Sequence, residues 1–308
     1  MLTSFFSTSK PIHTVIVLGY MTINFFVANN SRFSEGFSWS VLMQTIGLWL
    51  LFVMTMFILN FISQKNDLTK PSSYRILLFA AFASALPEAL KNAEVLISGV
   101  FIMLAMRRIL SFRSGLHMER KLFDAGLWLC LATITYFWTS TFFIVLLAGL
   151  LFYGGSTVRY WFIPLLSVTC VAILSTCYVI YIGGDQSFIL DIVDDFSFDF
   201  SKYSSFEVLL PIAVFSTLFL WTIFRYLQDS KKVAMAQRPL YLLVFFMAIL
   251  AICLVLITYD KTGAEWYFFL IPLAIIMTNY LENARGKLFK EFLLWIIVVL
   301  PFVRYVLS

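Results

Sequence analysis

Long apolar runs dominate the chain, and short polar or charged segments separate them. Splitting the sequence at charged residues and at Pro or Gly clusters gives roughly eleven runs. A helix that crosses ~30 Å of hydrocarbon needs about 20 such residues, so each run is read as one transmembrane helix. The pattern predicts an all-α, polytopic transmembrane helical bundle, with residues 1–308 as one domain. The runs are 12–29, 39–63, 75–89, 93–108, 122–138, 140–154, 159–182, 206–226, 239–259, 265–281 and 288–307.

Several of these runs are short for a membrane span. The runs 122–138 and 140–154 form one apolar stretch, which we divide at Trp138–Thr141 because thirty helical residues would extend about 45 Å. Short helices need protein neighbours or a locally thin bilayer. They can also leave a water-filled cavity at one membrane face. Polar side chains at the ends of the short runs 75–89 and 93–108 are therefore candidates for chemistry.

The distribution of basic residues predicts the orientation. With the N-terminus in the cytoplasm and spans alternating, most of the 22 Lys and Arg residues fall in inside loops. This pattern predicts a cytoplasmic N-terminus and an outside C-terminus. Acidic residues lean the other way and make the outer face negative. The basic residues left outside are Arg32, Lys91, Lys202, Lys261 and Arg304.

The amino-acid composition also indicates that most of the chain lies in a lipid bilayer. Apolar residues make up 61% and charged residues 13%, whereas a soluble domain has about 45–50% and about 25%. The net charge of +5 follows from the bias of cytoplasmic loops toward Lys and Arg. We therefore expect membrane lipid as a partner and no nucleic acid.

The sequence predicts no cofactor and no metal site. Walker A, GxSxG, HExxH, GxGxxG and kinase motifs are missing. Two histidines, His13 and His117, are too few for a His-rich metal or haem site. The cysteines all lie inside apolar runs and form no CxxC pair, which is typical of buried, inert thiols.

Two acids flank a short outer loop, which we take as the first candidate site. Glu88 and Glu94 lie at the outer ends of the short runs, and Lys91 lies between them. Ionisable groups below the membrane surface indicate function by default, and a buried carboxylate here could act as a general base or hold a metal. The alternative is structural: Glu88 pairs with Lys91 at i,i+3, and Glu94 sits at a helix N-terminus, where acids are favoured.

Further polar candidates lie in the other outer segments. Glu35 stands in the first outer loop, and Arg304 near the outer end of the last run. Arg304 could bind a phosphate of the substrate, with Lys91, or could extend to the membrane surface as an anchor. The acidic loop 184–205 fits either a cation site or a solvated amphipathic loop; its spacing lacks the pattern of a calcium-binding loop.

Three stretches carry a resemblance to a known family. They are SFFSTSKPIHTVIVLGYM, the stretch from PEALKNAEVLISGVF through RRILSFRSGLHMERKLFDAGLWLC to LLFYGG, and EWYFFLIPLAIIMTNYLENARGKLFKEFLLWIIVVLPF. In these the chain resembles an uncharacterised family of multi-pass inner-membrane proteins of flavobacteria and other Bacteroidota. The resemblance covers about half of the chain and carries no activity with it. It implies that the protein lies in the inner (cytoplasmic) membrane of a bacterium.

The order and lengths of the loops and helices also resemble those in the membrane module of polyprenyl-phosphate-dependent glycosyltransferases and related glycan polymerases. That likeness implies that Glu35 matches the catalytic acid of the first outer loop, and that Glu88 and Glu94 match a second acidic cluster. The chain departs from the pattern because Glu35 stands alone. It also has no soluble outer domain, and 308 residues is short for the class.

Two functions are therefore expected from the sequence. The first is a role in cell-envelope biogenesis, handling a polyprenyl-phosphate-linked glycan at the outer face, with Glu35, Glu88 and Glu94 as catalytic residues and Arg304 and Lys91 binding substrate. The second is a non-catalytic membrane subunit or scaffold of a larger envelope complex for secretion, motility or assembly, whose partner is another envelope membrane protein. The lack of any catalytic motif favours the second, and the acids at short helix ends favour the first.

Overall fold

The computed structural model describes residues 1–34, 38–154, 157–183, 195–284 and 286–307, and these residues form helices joined by turns. No β-strand occurs among them. Each of the predicted apolar runs overlaps a helix, so the all-helical class is confirmed. The helices are α1 (Leu2–Phe6), α2 (Pro11–Ala28), α3 (Trp39–Lys65), α4 (Tyr74–Ser84), α5 (Pro87–Lys91), α6 (Ala93–Leu110), α7 (Met118–Thr135), α8 (Phe143–Tyr153), α9 (Val158–Tyr181), α10 (Phe206–Ser230), α11 (Arg238–Ile257), α12 (Tyr267–Asn283) and α13 (Lys287–Leu307).

Seven segments of the described chain are long and apolar enough to cross a membrane. The apolar helix α4 and the apolar segment Phe137–Tyr153, which contains α8, are shorter. The structure therefore supports a membrane protein with seven candidate spans, a coarser statement than the roughly eleven spans predicted. The seven segments are Pro11–Ala28, Trp39–Lys65, Ala93–Ser114, Val158–Tyr181, Phe206–Ser230, Arg238–Ile257 and Ala264–Asn283.

Two predicted breaks can be compared with the helices. The division near Trp138–Thr141 is confirmed, because α7 ends at Thr135 and a 3-10 turn, Phe137–Phe142, precedes α8. The prediction of one helix over 75–89 is wrong, because α4 ends at Ser84 and α5 begins at Pro87. Pro87 has no N–H to donate, and it pushes Leu86 out of the helical region, to φ −119° and ψ 76°.

The backbone groups into two compact units. Unit 1 contains residues 1–96, 200–233 and 261–308, and unit 2 contains residues 97–199 and 234–260. This grouping does not test whether the two units fold together, so the single domain over 1–308 stays a prediction.

Unit 1 is built around two buried helices. Every residue of α4 is buried, and so are nearly all residues of α12. The two helices pack against each other, and α4 also contacts α2, α3 and α13. Aromatic side chains fill this core: Phe79 packs on Tyr267 and Phe52, and Phe82 packs on Phe215. Helices that are apolar on all sides are expected at such central positions.

Distant segments meet at the amino-terminal end of unit 1, defined by residues 1–10, 66–73 and 282–291. Ser73 donates its N–H to the Phe6 carbonyl at 3.0 Å. Ser72 Oγ donates to Glu282 Oε1 at 2.5 Å, and Thr3 Oγ1 donates to Glu291 Oε2 at 2.6 Å. The prediction that these segments share one membrane face agrees with this arrangement.

A fully buried arginine anchors the loop at this end. Arg75, in the first turn of α4, is 0% exposed. Its Nε donates to Asn60 Oδ1 at 2.7 Å, and its Nη1 donates to Thr69 Oγ1 at 2.8 Å and to the Lys70 carbonyl at 3.2 Å. A buried guanidinium is stable only with such partners, so Arg75 holds the loop 66–73 over the start of α4.

Unit 2 depends on the close packing of α7 on α9. A Cβ added at Gly126 would lie 2.7 Å from Ser167 Oγ and 2.8 Å from Ser167 Cβ. Ser167 Oγ also donates to the Phe123 carbonyl at 3.0 Å, which joins the two helices. Helices in a membrane gain little from the hydrophobic effect when they associate, because lipid tails are as apolar as their side chains. Small residues at the crossing let the two backbones approach closely and pack instead.

This crossing predicts the effect of one methyl group. Gly126→Ala should lower stability by roughly 1–3 kcal/mol, because the added Cβ overlaps Ser167. Gly47→Ala in α3 is the matched control, since a Cβ there meets nothing within 4 Å. Thermal unfolding of the purified variants in detergent measures both effects. Adding Ser167→Gly to Gly126→Ala should restore part of the loss; equal melting curves for Gly126→Ala and Gly47→Ala would contradict the crossing.

Candidate functional site at the distal end of unit 1

The distal end of unit 1 is the end opposite the amino terminus, and it contains residues 29–33, 85–92, 200–205 and 261–266. Asn29, just after α2, donates through Nδ2 to the Leu90 carbonyl at 3.3 Å. Arg32 donates through Nη2 to the Lys91 carbonyl at 2.6 Å. The last carbonyls of a helix lack intrahelical donors, so these side chains tie the first polar loop to the end of α5.

The predicted acid Glu88 and the predicted binding residue Lys91 are brought together. Lys91 Nζ lies 2.8 Å from Glu88 Oε1, and the two side chains are 33% and 40% exposed. Their i,i+3 spacing on α5 makes this pairing natural. The geometry matches the structural alternative, in which Glu88 pairs with Lys91 on the same helix, and it leaves the catalytic role of Glu88 as a prediction.

Glu94 belongs to the next helix, α6. It is exposed in the first turn of α6, where an acid is favourable. Asn92 caps the N-terminus of α6, since its Oδ1 accepts the Val95 N–H at 3.1 Å. Glu94 therefore faces the surface, close in sequence to Lys91 but with no role set by these contacts.

The remaining predicted residues fall partly outside the described chain. Glu35 and most of the acidic loop, residues 184–194, lie outside the described residues. Arg304 belongs to the C-terminal part of α13, and its side chain is likewise outside the description. The predictions for these positions stay predictions.

Sequence reasoning missed a buried charged cluster at the same end. Glu265 is 0% exposed and Lys261 is 1% exposed, although the sequence places Lys261 in an outer loop and Glu265 at the outer end of the run 265–281. Tyr203 donates its hydroxyl to Glu265 Oε1, and the Gly263 N–H donates to both Glu265 oxygens at 3.2 and 3.0 Å. Gly263 has φ +93°, a conformation that favours glycine.

Lys261 completes this cluster. Its ammonium lies within electrostatic range of the Glu265 carboxyl group, and its Nζ lies 4.8 Å from the centre of the Phe200 ring, within the range of a cation–π contact. The carboxyl group of Glu265 therefore has hydrogen-bond donors around it and no exposed surface. Such a group stabilises the loop 261–266; it is not positioned as an open general base. A weak signal was available in the sequence, since Lys261 and Glu265 flank a Gly.

Metal chemistry has no geometric basis in the described residues: no group of three or more His, Cys, Asp or Glu side chains there is placed to hold an ion. The polar groups of the distal end therefore comprise two sets. One is the partly exposed set of Arg32, Glu88 and Lys91, and the other is the buried set of Tyr203, Lys261 and Glu265.

The fold and this site define an all-helical membrane protein with polar groups gathered at the helix ends. Over residues 1–307 the chain matches a family model described as "Family of unknown function (DUF6427)", and the protein belongs to that family. No curated protein and no solved structure matches this chain significantly.

The buried cluster predicts a large effect at Glu265. Glu265→Gln should destabilise the protein by about 1–3 kcal/mol, because an NH2 donor replaces one of the two oxygens that accept buried hydrogen bonds from Tyr203 and Gly263. Glu94→Gln, an exposed position, is the matched control and should change stability by no more than ~0.5 kcal/mol. Thermal or denaturant unfolding in detergent compares the two. If both variants unfold like the parent protein, Glu265 does not accept these buried hydrogen bonds.

Proposed function

We propose that the protein is an integral inner-membrane protein of the bacterial cell envelope. In this proposal it binds a polyprenyl-phosphate-linked glycan at the outer face of the inner membrane. In this proposal roughly eleven helices enter the membrane, the amino-terminal end of unit 1 faces the cytoplasm, and the distal end faces outward. The distribution of charge in unit 1 supports the orientation. Basic residues at or near the amino-terminal end are Lys10, Lys65, Lys70, Arg225, Lys231, Lys232, Lys287 and Lys290.

One contact carries the proposal: the hydrogen bond of Arg32 Nη2 to the Lys91 carbonyl at 2.6 Å. It brings two cationic residues from separate loops to one place. Arg binds phosphate oxygens through two parallel donors, and Lys adds a compact charge. A lipid phosphate arriving at this end would meet both, with Arg304 of α13 as a further candidate.

The acids near these cations supply the chemistry of the proposal. Glu35 follows Arg32 by three residues, and Glu94 follows Lys91 by three. A carboxylate beside a bound lipid phosphate would act as a general base and accept the proton of a sugar hydroxyl that attacks the anomeric carbon of the lipid-linked sugar. The bond from that carbon to the phosphate oxygen breaks, and the polyprenyl phosphate leaves. Glu88 holds Lys91 in place through its 2.8 Å ion pair. In this proposal Glu35 and Glu94 act on the substrate, and Glu88 is the third candidate acid.

A second function is favoured by a different observation. The charges with the deepest burial at the distal end, Glu265 and Lys261, are satisfied within the protein. The helix α9 also exposes many apolar side chains, among them Leu165, Leu166 and Ile173. A non-catalytic subunit of an envelope complex would use such a helix face against a partner helix, since lipid and helix partners look alike in composition.

The test is native mass spectrometry of the protein extracted gently from its own membrane. A co-purifying polyprenyl-phosphate lipid is expected. The double variant Arg32→Gln/Lys91→Gln should lower its occupancy about tenfold, which corresponds to the loss of ~1.4 kcal/mol of binding. The double variant Lys231→Gln/Lys232→Gln, at the other end of α10, is the matched control and should leave occupancy unchanged.

The acids are tested separately in cells. Glu88→Ala together with Glu94→Ala should change the surface glycans while the protein still inserts in the membrane. Unchanged glycans and unchanged lipid binding would remove these acids from the proposal. A stoichiometric second protein with no polyprenyl-phosphate lipid would instead support the subunit function.

A further inference from the structure

A surface groove lies between the first turns of α7 and α9 in unit 2. Its volume is about 750 Å³. Charged side chains line one part of it and apolar side chains line the rest. The residues that carry the argument are Arg120, Phe123, Arg159, Phe162, Leu165 and Leu166.

The charged part of the groove, counted together with Arg108 that pairs with it, has three arginines and two acids. Two acids line it, but each has a partner: Glu119 Oε1 lies 3.3 Å from Arg159 Nη1, and Asp124 Oδ2 lies 2.8 Å from Arg108 Nη2. Arg120 has no ion-pair partner in the part of the chain that the structure describes. The groove therefore favours an anion beside Arg120 and Arg159.

The apolar part of the groove faces the surroundings of a candidate membrane span. Phe162, Leu165 and Leu166 on α9 are 63%, 61% and 60% exposed, and α9 is one of the seven candidate spans. Side chains of this kind meet acyl chains in a bilayer. The order of charged groups at the helix start and apolar groups further along α9 matches the order of a phospholipid, from headgroup to acyl chain.

The wall of the groove is fixed by the crossing of the two helices. Ser167 Oγ donates to the carbonyl of Phe123, a groove residue, at 3.0 Å, and Gly126 allows the close approach. A site whose walls are held in place binds without a large cost of ordering. This rigidity distinguishes the groove from an arbitrary patch of exposed apolar surface.

We propose that this groove binds one anionic phospholipid of the surrounding leaflet, with its phosphate between Arg120 and Arg159 and an acyl chain along Phe162, Leu165 and Leu166. Membrane-adjacent basic residues attract anionic lipids, and the apolar wall adds the selectivity for a lipid over a free phosphate. The site is separate from the proposed glycan-lipid function, because all its residues belong to unit 2.

The test uses the purified full-length protein and native mass spectrometry with phosphatidylglycerol and phosphatidylcholine of the same acyl chains. The protein should retain phosphatidylglycerol in preference. Arg120→Gln/Arg159→Gln should reduce that retention about tenfold. Arg113→Gln, exposed on the turn before α7, is the matched control for net charge and should have little effect. Leu166→Trp, which fills the apolar part, should reduce binding of both lipids.

The outcomes separate the possible occupants. Equal retention of the two lipids, unaffected by Arg120→Gln/Arg159→Gln, would overturn the proposal. So would a protein that binds inorganic phosphate as well as it binds phosphatidylglycerol, or one whose groove is occupied by a partner polypeptide in crosslinking. The substituted side chains are exposed, and the melting temperature of each variant confirms that it is folded. Polyprenyl phosphates differ in mass from phosphatidylglycerol, so failure here and failure at the distal end are distinguishable.

Discussion

The burial of α4 against α12 is the constraint on which unit 1 depends. With eleven residues, α4 extends about 16 Å, roughly half the hydrocarbon thickness. A helix that short leaves its ends at membrane depth unless protein surrounds it, because unpaired backbone groups there cannot reach water. Enclosure by α2, α3, α12 and α13 meets that requirement.

Buried charges then fix the segments at both ends of this core. Arg75 is held by Asn60, Thr69 and the Lys70 carbonyl at the amino-terminal end. Glu265 is held by Tyr203 and Gly263 at the distal end. Removing a charge from water is costly unless partners are fixed around it, so each of these groups specifies one arrangement of its loop.

Burial separates the structural charged groups of the distal end from those proposed to be functional. Lys261 and Glu265 are fully buried and satisfied within the fold, whereas Arg32, Glu88 and Lys91 keep access to the surface. A substrate can reach only the second set. In unit 2, the groove beside Arg120 has the same property, since its cation is exposed and the neighbouring acids are already paired. Accessible charge, more than the number of charges, is therefore the feature on which both proposed lipid sites rest.

The sequence predicted the helices well because their signal is local. Apolar runs and the breaks near Trp138–Thr141 are read along the chain, and the structure has a helix for each run. The pairing of Glu88 with Lys91 was also foreseen as one alternative, since it lies within three residues of α5. The break at Pro87 was missed because the apolar pattern continues across it, although a proline there gives a local reason for it.

By itself the sequence determined an all-helical membrane protein. Only the tertiary structure decided which charges are buried. Tyr203 reaches Glu265 across 62 positions of the chain, and Ser72 reaches Glu282 across 210. Burial of a charge depends on partners that arrive from such distant segments, and hydropathy along the chain carries no information about them. Loop residues such as Lys261 therefore look solvent-exposed in the sequence and prove to be part of the core.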